Sequence, residues 1–252
     1  MILIKKGDKK VLSVIYSEIL KLKKSNILFL IFIGGLTMPL ILDIAIVILS
    51  QKNRTFESYV YNTEGLSHMF MYGILFSIIS GYIFAREYGD KTANSLYSYS
   101  CDRTKIFMGK LIVIYFIMFI TCCIQCITVY LGYYKLFGSL DSNLILKDLK
   151  VNVKALLFQM ALVPIPIFLV NLKKNIIFPI IYGVFSLCIQ VITSGSNSIY
   201  VKYNPLLGSL YIFENTYNKG NNNIGSIAVV SIFVFIVFMA AAFYGHKKMD
   251  IN

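Results

Sequence analysis

The chain has 252 residues, 57 % of them hydrophobic and only 14 % charged, where soluble domains carry about a quarter charged residues. That composition excludes an ordinary soluble domain and defines an all-α integral membrane protein. The net charge of +12 comes from lysines and arginines in short blocks beside apolar runs. It reads as topology and contact with anionic membrane lipid, and no nucleic acid partner is expected.

Residues 1–24 place Val11, Leu12, Ile15, Ile19 and Leu22 at helical spacing, with Lys21, Lys23 and Lys24 at the end. Two readings stand: a helix in the membrane interface with its lysines at the headgroups, which we adopt, and a solvated helix leading into the first span. The first apolar run is too long for a signal-peptide core and lacks a small-x-small site, so it is expected to be retained.

Six stretches reach the roughly 20 apolar residues that cross about 30 Å of hydrocarbon. They are 27–49, 66–85, 111–131, 155–172, 176–193 and 224–244. The fourth and fifth are the shortest and read either as two spans or as one re-entrant hairpin. The expected organisation is an interfacial segment, 1–25, followed by a six-span domain, 26–252. With both termini inside, Lys and Arg on the cytoplasmic segments outnumber those outside two to one, which sets a multi-pass cell-membrane topology with cytoplasmic termini. The expected outer loops are 51–65, 132–154 and 194–223. In the last, YNPLLGSLYIF is too apolar for a solvated loop and too short to cross. It is expected to fold back onto the outer surface, with KGNNN as the exposed turn.

Between the second and third stretches, residues 85–110 read AREYGDKTANSLYSYSCDRTKIFMGK. Arg86 and Glu87 mark a helix emerging into water, and Gly89 marks a bend. A short helix carries Leu96 on one side. Ser100 or Asp102 caps a helix that starts near Arg103 and takes Lys105 and Lys110 to headgroup height. On physical grounds this is either a plain connection or a stiff lever facing the cytoplasm.

The pattern resembles the signature of the permease subunits of type-2 ATP-binding-cassette transporters. That signature has an acidic residue after the second span, then Gly and Thr, a Leu-rich short helix, a Pro-x-x-Arg turn and a Lys opening the third span. Here those positions are Glu87, Gly89, Thr92, Leu96, Arg103 and Lys110, and Ser100 stands in place of the proline. Six spans, an interfacial N-terminal helix and a long outer loop holding Asn204 and Pro205 extend the resemblance over nearly the whole chain.

The resemblance implies a dimer of six-span subunits, the partner being a second copy or a paralogue, bound to two cassette ATPase subunits. Segment 85–110 would be a cytoplasmic coupling helix between spans two and three, and loop 171–175 a second, smaller contact. The sequence holds no G-x-x-x-x-G-K-[ST], so the chain is not expected to be an enzyme or to carry a cofactor. ATP and Mg belong to the partner ATPase. The small size and the lack of a large extracellular domain resemble permeases that expel peptide antimicrobials such as lantibiotics and bacitracin-like compounds. Export of a drug or lipid, and a motor-free immunity or scaffold protein that binds a peptide, are the alternatives.

Inside the apolar stretches Asp43 is the one formally charged residue. It reads either as a site in the substrate path or as a carboxylate at headgroup level, about 25 Å along the helix from Asn26. Gln125, Gln159 and Gln190 sit near the middles of spans three, four and five, where they either pack helices together or line a path. Pro164, with Pro166, kinks the fourth span. Cys123-x-x-Cys126 has zinc spacing but no His or acid near it in sequence. It reads as packing, and no metal site is expected.

Overall fold

The computed structural model describes residues 6–23, 25, 27–50, 54–89, 103–195, 201 and 203–248, and among these residues there is no strand. Helix α1 spans Lys6–Lys23 and α2 Leu28–Ile48. Helices α3 (Phe56–Val60) and α4 (Tyr72–Gly89) are joined by two π-helical segments, Tyr61–Gly65 and Ser67–Met71, into one continuous rod. Then come α5 (Arg103–Phe137), α6 (Ser142–Leu162), α7 (Pro164–Lys173) and α8 (Ile177–Ser194). A 3₁₀ turn, Pro205–Leu207, leads into α9 (Gly208–Tyr217), and α10 runs Ile224–Lys248. Six of these helical units are long and apolar enough to cross a membrane: α2, α3–α4, α5, α6–α7, α8 and α10.

The spans alternate in direction. The end of α4, the start of α5 and the end of α10 meet beside α1; this end is called basal and the opposite one distal. In lipid no hydrophobic force drives helices together, so close packing falls to small residues at the contacts. Gly35 brings α2 against α5, where an added Cβ would stand 2.6 Å from Ile124 Cγ2. Gly109 does the same for α1, whose Val14 Cγ1 would lie 2.6 Å from a Cβ there. The outer faces stay apolar and exposed, as with Phe29, Ile44 and Val47 on α2 and Phe233 and Ile236 on α10, as lipid contact requires.

Several sequence expectations change. The fourth and fifth stretches are separate helices joined at Lys174, whose φ of 52° ends α7 in a left-handed cap. Two expected outer loops are largely helical: 56–65 belongs to the α3 rod and 142–154 to α6. The second and fourth apolar stretches end short of the helices that contain them. The helices continue past that point because the polar side chains turn inward and pair. Consequently Asp43 is not the only charge within the spans. Glu64 and Asp148 also lie inside helices of membrane-crossing length, both fully buried. The YNPLLGSLYIF segment folds back against the bundle: residues 207–213 are all buried and α9 packs on α6.

Candidate functional site

At the basal end Glu87 occupies the last turn of α4 and Lys110 lies two turns into α5. Lys110 Nζ stands 2.6 Å from Glu87 Oε2, and the two residues are 0 % and 2 % exposed. The angles fall outside hydrogen-bond geometry, so the pairing is chiefly Coulombic. Helix α1 closes the other side. Lys21 Nζ lies 3.8 Å from Glu87 Oε1 and donates to Glu18 Oε1 at 2.7 Å, while Arg86 Nη2 reaches Glu18 Oε2 at 3.4 Å. The five charges alternate in sign, Arg86, Glu18, Lys21, Glu87, Lys110, and link three helices. The face of Phe84 lies 5.0 Å from Lys110 Nζ.

Helix α10 is fastened to the same end. Arg103 Nη1 donates to the Lys247 carbonyl at 2.9 Å, and the His246 ring lies 5.9 Å from Phe84 and 5.5 Å from Phe107. Asn171, at the start of the loop expected to make the second contact, donates through Nδ2 to the Ala242 carbonyl at 2.7 Å. Of the six coupling residues, Glu87, Arg103 and Lys110 converge here, and Gly89 closes α4. Lys110, expected at headgroup height, is inside the bundle. Thr92 and Leu96 lie outside the described residues.

The three glutamines meet through one tyrosine. The Tyr72 hydroxyl donates to Gln125 Oε1, and Tyr72 also lines a small cavity of about 20 Å³ together with Gln159, Gln190, Ser77, Tyr182 and Ser186. Gln159 Nε2 donates to Ser209 Oγ at 2.9 Å and to the His68 carbonyl at 3.1 Å. The cavity has room for about one water. In this conformation the glutamines close the bundle's centre. Pro164 is the first residue of α7 and starts the new helix after the break at Val163, a position that suits its missing N–H. Asp43 lies apart at the distal end, half-buried, accepting from the Tyr59 hydroxyl at 2.6 Å.

Sequence reasoning missed a buried polar knot between α6 and the π-helical rod. Asp148 Oδ1 accepts from Tyr217 at 2.8 Å, and its Oδ2 accepts from Tyr130 at 2.7 Å and from Asn152 Nδ2 at 3.1 Å. Asn152 Nδ2 also donates to Glu64 Oε2 at 2.5 Å. The Cys126 thiol joins them: one donor atom from each of Glu64, Cys126 and Asp148 lies within 4.8 Å of the others. The acids absent around the cysteines in sequence come from other helices. A usable signal was the pairing of Asp148 and Asn152 at i, i+4, which puts both on one face of a helix.

On the flank of the bundle, α6, α9 and α10 enclose an open groove of about 820 Å³. Apolar walls such as Leu157, Phe158 and Ile232 face a rim of Lys147, Lys150 and Lys154.

Six helices of crossing length, a charge ladder that links three helices with Arg103 fastening a fourth, and an amphipathic flank groove belong to a polytopic membrane protein. The profile of the ABC-2 family transporter proteins matches residues 14–190, well over half of the chain, and the chain belongs to that family. A comparison with curated proteins returned no match. Membership makes the chain the membrane component of an ABC transporter and implies partnership with an ATPase subunit.

Proposed function

We propose that this chain is the permease half of an ATP-driven exporter that removes a peptide antimicrobial from the membrane, with the basal end in the cytoplasm. The charge ladder carries the reading. Segment 90–102 joins α4 to α5 between Glu87 and Lys110, so a push on that segment reaches both helices through a pair that shields each charge from lipid. Lys21 and Glu18 pass the displacement to α1, and Arg103 passes it to α10. The motor, with its ATP and Mg, is a separate polypeptide, and the permease works as a dimer with a second copy or a paralogue.

The groove favours a second reading, export of an anionic lipid or other anionic amphiphile. Three lysines at the rim would hold an anionic headgroup while the walls accept acyl chains. Reconstitution with the partner ATPase separates the two. Stimulation of ATP hydrolysis by cationic peptides, unchanged in Lys150→Ala, supports the first reading. Stimulation by anionic lipid that falls in Lys147→Ala and Lys150→Ala supports the second. Stimulation by neither class would overturn both.

A further inference from the structure

We propose that Glu64, Cys126 and Asp148 form a binding site for a divalent cation of borderline softness, Zn²⁺ in the first instance, buried between α5, α6 and the π-helical rod. Donor atoms of the three lie within 4.8 Å of one another. Ligands held at about 2.0–2.3 Å around zinc stand somewhat closer together than that, so occupation requires an inward movement on the order of 1 Å. A thiol with two carboxyl groups suits zinc better than calcium or magnesium, which take oxygen alone.

Three independent features favour a metal ion. The first is charge. Both carboxyl groups are 0 % exposed, and among the described residues no Lys or Arg forms an ion pair with either. Buried carboxyl groups in mutual reach need a positive charge between them, supplied by protons or by a metal. The second is the outer layer. Tyr217 donates to Asp148 Oδ1, Tyr130 and Asn152 donate to Asp148 Oδ2, and Asn152 donates to Glu64 Oε2, as the hydrogen-bonding shell around metal-binding carboxylates does. Glu64 Oε1 is left buried with no hydrogen-bond partner.

The third feature is His68. It lies four residues after Glu64 and is fully buried, and both of its ring nitrogens lack a hydrogen-bond partner. Asn152, which donates to both Glu64 and Asp148, also neighbours this imidazole, so His68 lies beside the knot without being one of the three mutually close donors. The two π-helical segments hold Glu64 and His68 in this arrangement. Thr63 and Ser67 hydroxyls donate back to the carbonyls of Tyr59 and Thr63 at 2.8 and 2.7 Å, and π-helical turns recur at functional sites.

The test uses the full-length protein in detergent, exposed to Zn²⁺ alone and then freed of loose metal on a chelating column. One zinc per chain by elemental analysis is expected. With Co²⁺ in its place, a thiolate-to-metal charge-transfer band is expected in the unaltered protein, which needs no variant and no refolding. In Cys126→Ser that band disappears and zinc affinity falls at least about tenfold. Asp148→Asn and Glu64→Gln, checked for a monodisperse elution profile, also lose the zinc. Absence of retained zinc in the folded protein would show that protons balance the two carboxyl groups and would overturn the proposal. Zinc retained equally by Cys126→Ser and Asp148→Asn would place it elsewhere and overturn it too. Neither result depends on transport, so a failure here leaves the exporter reading intact.

Discussion

Lys110 and Glu87 hold each other inside the bundle, and neither is independent of the other. Replacing Lys110 by Met strands a buried carboxylate, a change that typically costs about 3–5 kcal/mol. The double change Lys110→Met with Glu87→Gln removes both charges. In thermal unfolding of the purified protein the double variant is expected to be more stable than Lys110→Met alone, and equal losses would show that the pair does not act as a unit. Tyr72→Phe is the second test at this scale. It takes away the donor that, among the described residues, reaches Gln125 Oε1, whose Nε2 is already buried without a partner there, and is expected to lower stability by roughly 1–3 kcal/mol in the same assay. Both the charged pair and the glutamines were legible from residue type and spacing. What they touch was not. Lys110 was placed at the headgroups because a lysine beside an apolar run normally lies there, and only the packing of α1 over it shows that water is excluded.

Besides its ion pairs, helix α1 makes a close approach to α5 at Gly109. Its Val14 sits where a Cβ on Gly109 would be, so Gly109→Leu should lift α1 off α5 and open the Glu18–Lys21–Glu87 contacts. Limited proteolysis of the purified protein should then cut within residues 6–23 faster than in the unaltered chain. Gly195→Ala, which meets nothing within 4 Å, should leave the cleavage rate unchanged. Equal rates in all three proteins would remove Gly109 from the account. Nothing in residue spacing places Gly109 against Val14, because a tertiary contact over some 95 residues leaves no local pattern. The helices themselves were legible where the apolar runs were long. Their ends were not: α6 extends to Ser142 because Asp148 and Asn152 turn inward to Glu64, Tyr130 and Tyr217, which reading hydropathy alone counts as loop. The break at Val163 was anticipated from Pro164, since a proline inside a helix lacks the donor the ladder needs.

For the whole molecule, α1 and the close of α10 both lie at the basal end. If that end faces the cytoplasm, a membrane-impermeant thiol reagent applied to intact cells should fail to label Cys101, and permeabilised or inverted membranes should label it. Labelling from outside would reverse the topology and put the charge ladder on the wrong side for any motor. The resemblance at 85–110 was the feature that carried function from sequence. The family match spans 14–190; on the proposed reading, the ladder together with the Arg103–Lys247 contact would share force on one connection among four helices. The most direct measurement is purification of the full chain from its native membrane followed by assay of ATP hydrolysis. The account predicts a P-loop ATPase co-purifying in fixed ratio, with Glu87→Ala weakening its association or its stimulation by substrate. Transport that persists in an assembly containing no ATPase would contradict it.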